Sequence, residues 1–366
     1  MTRCLFYNKL IIILDFEHSL SVRIFKGDIM SNFTRRDFIK IGAVAAIGAA
    51  VGKFAGIGED TPVETKSEAA VSAKNVSQDS INKSKVYFTK QIDAEHLIKL
   101  YDKIKTDIQG KVAIKLHTGE PHGPNILPRD MVQKFQAQVP NSTIIEANVA
   151  YGGARATTQR HLETLKTNGW TFCPVDIIDA DGDVAYPVNN GLHLKEVAMG
   201  AHLSNYDSLI VLTHFKGHAM GGFGGSLKNI AIGCASGKVG KRQVHGLQDY
   251  GKWVTGELLM ELMADSGKAI CDHFGKQIVF LNVMRRMSVD CDCAGTSAAE
   301  PTIPDIGICA STDILAIDQA CVDLVYSSPS NKDLVNRIES RQGLRQLSAM
   351  KELHMGNDKY DLITVD

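Results

Sequence analysis

The sequence predicts an α/β protein: a mostly parallel sheet with helices on both faces, either as one body or as two lobes around a cleft. Three observations predict it. From about residue 86, short apolar runs alternate with stretches of helical periodicity, the rhythm of a sheet covered on both sides. His, Lys and Gly gather directly after these runs, at the carboxyl edge where such sheets collect ligands. The chain has 366 residues, 44% hydrophobic and 22% charged, which suits one large or two modest globular domains.

The elements follow in order. Residues 86–89 read as a strand, and 93–106 as a helix with Leu97, Ile98, Tyr101 and Ile104 at helical spacing. Residues 112–116 are strand-like, and Pro128 opens a helix to about 138, as proline does at a first turn. A strand at 143–146 precedes a helix at 157–167, closed by Asn168-Gly169. Strands at 175–179 and 208–213 come next, then a helix at 255–274 with Leu258, Leu262, Ile270 and Phe274 on one side. Strands at 278–284 and 306–310 and a helix at 313–326 end the pattern, with Asp313 at the last helix's N-terminus.

Upstream, Thr34-Arg35-Arg36-Asp37-Phe38-Ile39-Lys40 precedes a mildly apolar Ala/Gly-rich stretch to about residue 58. The segment resembles a twin-arginine signal, which implies export in the folded state, a periplasmic location and the export machinery as a partner. On this reading 1–29 is an upstream extension, 30–58 the leader, 59–85 a polar tether and 86–366 the working domain. The leader is either cleaved or kept as the sole membrane anchor. No run approaches the twenty uninterrupted apolar residues of a conventional span. A net charge of −1 argues against nucleic acid as a partner.

The richest segment follows the 208–213 strand. His214, Lys216 and His218 lead into a loop with five Gly between 217 and 225, then Ser226 and Lys228; His245 follows. Gly222, Gly224 and Gly225 let the backbone approach a guest, Ser226 is placed to cap a helix, and the free N–H groups there favour an anion. The loop matches neither common nucleotide fingerprint. Imidazoles serve as bases or metal ligands, and a shielded Lys as nucleophile or covalent anchor. Arg155, after the 143–146 strand, is placed to hold a carboxylate or phosphate. Asp179, Asp181 and Asp183 read as a solvated turn.

These blocks resemble the family called domain of unknown function 362. The resemblance rests on His214-Phe215-Lys216-Gly217-His218, Gly221-Gly222-Phe223-Gly224-Gly225-Ser226-Leu227-Lys228-Asn229 and Ile232-Gly233-Cys234-Ala235-Ser236. Lys115-Leu116-His117-Thr118-Gly119-Glu120, Asp290-Cys291-Asp292-Cys293, Pro304-Asp305-Ile306-Gly307-Ile308 and the run from Ser311 to Ala320 fit as well, over about residues 111–325. Members are often labelled iron–sulfur proteins because of an inserted Cys-x-x-Cys segment. Here the matching stretch, 248–276, holds only Cys271, which weighs against a 4Fe–4S cluster. The loop is also similar to that of the nickel-pincer lactate racemase family. That similarity implies bases at His117 and His218, a covalent cofactor anchor at Lys228 and a metal ligand at His245, although this loop has one more residue before its Lys.

Cys291 and Cys293 form a Cys-x-Cys pair suited to a soft metal, whereas Cys309 and Cys321 read as buried structural thiols. Three functions follow. The first is an exported enzyme, a racemase, isomerase or oxidoreductase, that transfers a proton or hydride on a small acid with a metal or metal-organic cofactor. The second is a metal-binding or electron-transfer protein without turnover. The third is a module that binds an anionic small molecule.

Overall fold

The computed structural model describes residues 83–366 together with 3–7, 10–15 and 21–24. Strands β1 (Arg3–Tyr7), β2 (Leu10–Asp15) and β3 (Ser21–Ile24) form an antiparallel sheet in that order, within a unit of their own. The twin-arginine motif, the apolar part of the leader and the tether as far as residue 82 lie outside the described residues.

The second unit begins with β4 (Ser84–Thr89) and α1 (Ala94–Asp102), whose first turn is capped by the Asp93 carboxylate accepting from His96 N. Strand β5 (Val112–Lys115), α2 (Arg129–Ala137), β6 (Ser142–Glu146), α3 (Thr158–Thr167) and β7 (Val175–Ile177) then wind outward to one edge of the sheet. Thr157 caps α3, and the αL residue Gly169 follows its end. A hairpin of β8 (Asp183–Pro187) and β9 (Glu196–Gly200), absent from the sequence reading, forms a separate two-stranded sheet.

The chain returns to the middle as β10 (Ser208–His214) and makes a second hairpin, β11 (Lys216–His218) with β12 (Gly222–Gly224). Helices α4 (Ser226–Gly233), α5 (Gly240–Val244), α6 (Leu247–Tyr250) and α7 (Glu257–Phe274) lead to β13 (Ile278–Met284). Then come β14 (Gly307–Ser311), α8 (Ile314–Ser327), α9 (Lys332–Ser340), α10 (Arg345–Glu352) and β15 (Tyr360–Thr364).

One eight-stranded sheet, in the order β15-β4-β14-β13-β10-β5-β6-β7, runs through the unit, so it is a single body rather than two lobes. Only β14 is antiparallel to its neighbours β13 and β4; the other pairings, β15 with β4 and β13 through β7, are parallel. Alternate residues of β10 feed opposite cores. Leu209 and Val211 pack with α4 and α7 on one face, Ile210 and Leu212 with α1 and α2 on the other. Both faces are covered, which is why β10 and β13 are buried along their whole length. From β5 the chain winds toward the β7 edge, and from β10 it winds the other way. The order of winding therefore reverses between β5 and β10, the place where a ligand crevice opens in such sheets.

Candidate functional site

The site is assembled at the carboxyl ends of four neighbouring strands. β5 ends at Lys115 and delivers His117; β6 ends at Glu146, and the loop behind it carries Tyr151 and Arg155. β10 ends at His214, and β13 leads into the loop holding Cys291 and Cys293. The β11–β12 hairpin, with Lys216 opposite Gly224 and His218 opposite Gly222, packs against that loop. Gly217 N donates to Ser288 O at 2.8 Å, and a Cβ at Gly217 would lie 2.3 Å from Val289 O, so only glycine allows the approach.

Together these segments enclose a cavity of about 250 Å³. His117, His214, His218 and His245 all line it. So do Lys216, Lys228 and Arg155, both thiols of the Cys291–Cys293 pair, and Gly224 and Gly225 of the loop. Gly222 and Ser226 are not part of its wall. Gly222 sits at φ 77° with its backbone against Gly343. Ser226 is fully buried within the first turn of α4, its Oγ donating to Asn282 Oδ1 at 2.7 Å, and Gly225 stands at the cap position. The anion that this helix end attracts belongs to the chain itself. The Asp318 carboxylate accepts from Ser226 N at 2.8 Å and Leu227 N at 2.9 Å.

Several of the charges are already paired. Lys115 Nζ lies 3.0 Å from Glu146 Oε2, and Thr118 N donates to Glu146 Oε1 at 2.9 Å. Burial works against the Glu146 charge, but Lys115, His117 and Arg155 outweigh it and hold the carboxyl well below its usual range. Arg155 is buried, its Nε donating to Glu120 Oε1 at 2.9 Å and its Nη1 3.6 Å from Glu146 Oε1. The acidic stretch is less solvated than it reads: Asp179 accepts from Asn148 N and Gly237 N at 2.9 and 2.8 Å.

His214 and Lys216, candidates for catalysis in the sequence, are both occupied by Asp292. His214 Nδ1 lies 2.8 Å from Asp292 Oδ2 and its Nε2 2.7 Å from Arg285 O, so neither ring nitrogen has a lone pair for the cavity. Lys216 Nζ lies 3.0 Å from Asp292 Oδ2. Burial disfavours the Lys216 charge, but Asp292 and Cys291 more than offset this and raise it above the usual lysine range. These two residues hold the loop in place.

The other rings differ in which nitrogen is free. His245 Nδ1 meets Lys241 O at 2.7 Å, so it donates and leaves the Nε2 lone pair open; burial lowers this ring to about 4. His117 Nδ1 instead accepts from Gly119 N at 3.0 Å, and His218 Nδ1 from Gly221 N at 2.9 Å and Met220 N at 3.2 Å.

The nearest donor atoms of His218, Cys291 and Cys293 lie within 4.8 Å of one another. A hydrogen bond from Cys293, helped by Lys228 and Lys216, holds the Cys291 thiol well below its usual range despite burial; the same bond drives Cys293 upward. Lys228 has no hydrogen-bond or ion-pair partner among the described residues.

Sequence reasoning missed the roles of Lys115, Glu146, Lys241 and Asp292. Lys241 is buried beneath the site and donates to Asn148 O at 2.6 Å and Ala235 O at 2.9 Å; burial lowers it to about 8. Asp292 was in view as the middle of Cys-x-Cys, but its partners are far away in sequence.

The sequence matches the family described as domain of unknown function (DUF362) over residues 112–323. No protein of curated function matches it. Among solved structures, the lactate racemase apoprotein from Thermoanaerobacterium thermosaccharolyticum is 13% identical, with a TM-score of 0.38 over 68% of this chain and 58% of that one. A protein from Thermotoga maritima is 11% identical, with a TM-score of 0.35 over 72% and 60%. The chain spans less than two thirds of either.

Proposed function

The chain belongs to the DUF362 family, and from the geometry of its cavity we propose that it is an enzyme that binds a small acid beside a metal or metal-organic group and moves a proton or hydride at a carbon of that acid. One observation carries the reading. The unpartnered Lys228 amine shares a cavity of about 250 Å³ with a lowered thiol, Cys291, and with the open lone pair of His245. The two sulfurs suit a soft or borderline metal, and His245, elsewhere on the same wall, is already fixed by a carbonyl in the tautomer a ligand needs. Lys228 is free to hold an organic group covalently, as the resemblance of its loop implies. Such a group, when bound, supplies a Lewis acid or hydride acceptor. The chain's own residues do the rest: Arg155, on the cavity wall, orients the acid through its N–H groups, and the packed hairpin limits water.

Intact mass and elemental analysis of protein purified from its native host test the reading. An adduct on Lys228 with a stoichiometric metal, both lost in Lys228→Ala, is the expected result. Metal kept in that variant but lost in a Cys291→Ser/Cys293→Ser double variant points instead to a metal-binding protein without turnover, for which the proximity of His218 to the thiol pair is the supporting observation. Native protein with neither adduct nor metal overturns both readings and leaves a module for an anionic ligand. The Thr34–Lys40 motif supports the further proposal that the protein is exported folded.

A further inference from the structure

His117 and His218 stand on different strands' loops, yet each ring is fixed by the same local device. His117 Nδ1 accepts the N–H of Gly119, two residues on, at 3.0 Å. His218 Nδ1 accepts from Met220, also two residues on, at 3.2 Å and from Gly221 at 2.9 Å. A ring nitrogen that accepts a backbone N–H carries the lone pair, so in the neutral ring the proton sits on Nε2. Adding a second proton would set Nδ1–H against those backbone donors. Both rings line the same cavity.

A second observation points to what these N–H groups face. Arg155 Nη2 lies 3.4 Å from His117 Nε2. A neutral ring can accept from Gly119 N or from Arg155 but not both. With the shorter 3.0 Å contact taking Nδ1, Nε2–H and the Arg155 N–H stand side by side, an arrangement that an oxygen accepting from both relieves. The cations that line the cavity are Lys115, Arg155, Lys216, Lys228 and Lys241. Lys115 is paired to Glu146 and Lys216 to Asp292, and Lys241 is bonded to two carbonyls. Arg155 is held by Glu120 at 2.9 Å and shares Glu146 at 3.6 Å, so among the described residues the unpaired cation of this wall is Lys228.

We infer that His117 and His218 are held as neutral Nε2–H tautomers and serve as paired hydrogen-bond donors to the carboxylate of a small acid, with Arg155 Nη2 as a third donor. Neither ring then has a cavity-facing lone pair, so neither is the base that resemblance alone assigns to these positions. The cavity, at about 250 Å³, suits an acid of a few carbons, and N–H donors from two rings and a guanidinium on one wall match a carboxylate. This rests on the proposed binding of a small acid but not on the identity of any metal or on a Lys228 adduct.

Two-bond proton–nitrogen spectra of the full protein labelled with ¹⁵N-histidine read the tautomers directly, with His117→Gln and His218→Gln assigning the peaks. The expected result is the neutral Nε2–H pattern for both rings from about pH 8 to about pH 6, with both Nε2–H resonances shifting when glycolate is added. Each Gln variant keeps an N–H donor and should bind glycolate within about threefold of the parent, whereas Leu at either position should weaken it about tenfold or more. An Nδ1–H or doubly protonated ring in that range overturns the inference, as do Gln variants that fail as completely as Leu variants. Inorganic phosphate shifting the two resonances where glycolate does not overturns the ligand class. Absence of a metal or adduct in the native protein, with these spectra as expected, removes the proposed chemistry and leaves the donor pair standing.

Discussion

At the scale of single residues, the charges that matter most lie in the cavity wall or just behind it. Asp318 is fully buried and accepts from Ser226 N, Leu227 N and Asn282 Nδ2, the last at 2.8 Å; burial still pushes it up to about 6. Asp318→Ala should remove about 2–4 kcal/mol of stability, because it strands two helix-end N–H groups and an amide in the core. Urea unfolding measures this, and a change under about 0.5 kcal/mol would mean that water replaces the carboxylate. Glu146 stands between Lys115 and Arg155 in the same way. Glu146→Gln leaves two buried cations short of an anion and should cost about 3–5 kcal/mol. His161 titrates in the opposite sense to a paired histidine. It is buried, its Nε2 has no partner, and burial lowers it to about 3. A folded-state value below the unfolded one means that the unfolded chain takes up the proton first. Stability is therefore full above about pH 6.5 and declines as pH falls, by about 2 kcal/mol for this ring at about pH 5. His161→Leu should flatten that decline, and an unchanged slope between about pH 7 and about pH 5 would refute the assignment.

At the scale of elements, the packing of the β11–β12 hairpin onto the cysteine loop gives a direct test. Gly217→Ala places a methyl 2.3 Å from Val289 O, so the hairpin must lift; about 3 kcal/mol of destabilisation is expected, read by thermal melting. This element was only half legible in the sequence. The cluster of His, Lys and Gly after β10 marked a segment that lines the cavity, because five glycines beside three basic groups are hard to place as packing. That the cluster folds as a hairpin was not legible, since its strands are three residues each and carry too little pattern. The strands of the sheet were legible because residues buried on both faces make continuous apolar runs such as Leu209–Leu212. The direction of β14 was not read, as Gly307–Ser311 is equally apolar in either sense. A signal was available: no helical periodicity separates β13 from β14, and a parallel return requires a crossover. Lys115 and Glu146 escaped notice for another reason. Each is a single polar residue at the end of an apolar run, and its meaning depends on a partner 31 positions away.

At the scale of the whole molecule, the reversal of strand order between β5 and β10 places the cavity, and long-range contacts hold it there. The proposed export is tested at this scale. Arg35→Lys with Arg36→Lys should leave the protein in the cytoplasmic fraction of its host, and unchanged distribution on fractionation would dismiss the signal. The sheet has a further consequence for how the protein is made. β4, the first strand of the domain, lies between β14 and β15, and its residues Ser84 to Phe88 pair with Tyr360 to Thr364. As the nascent chain leaves the ribosome, β4 emerges first and waits for partners synthesised last. Threading is finished only after the final strand clears the exit tunnel, so a prematurely stopped product keeps a raw edge that chaperones and proteases can tell from the finished article.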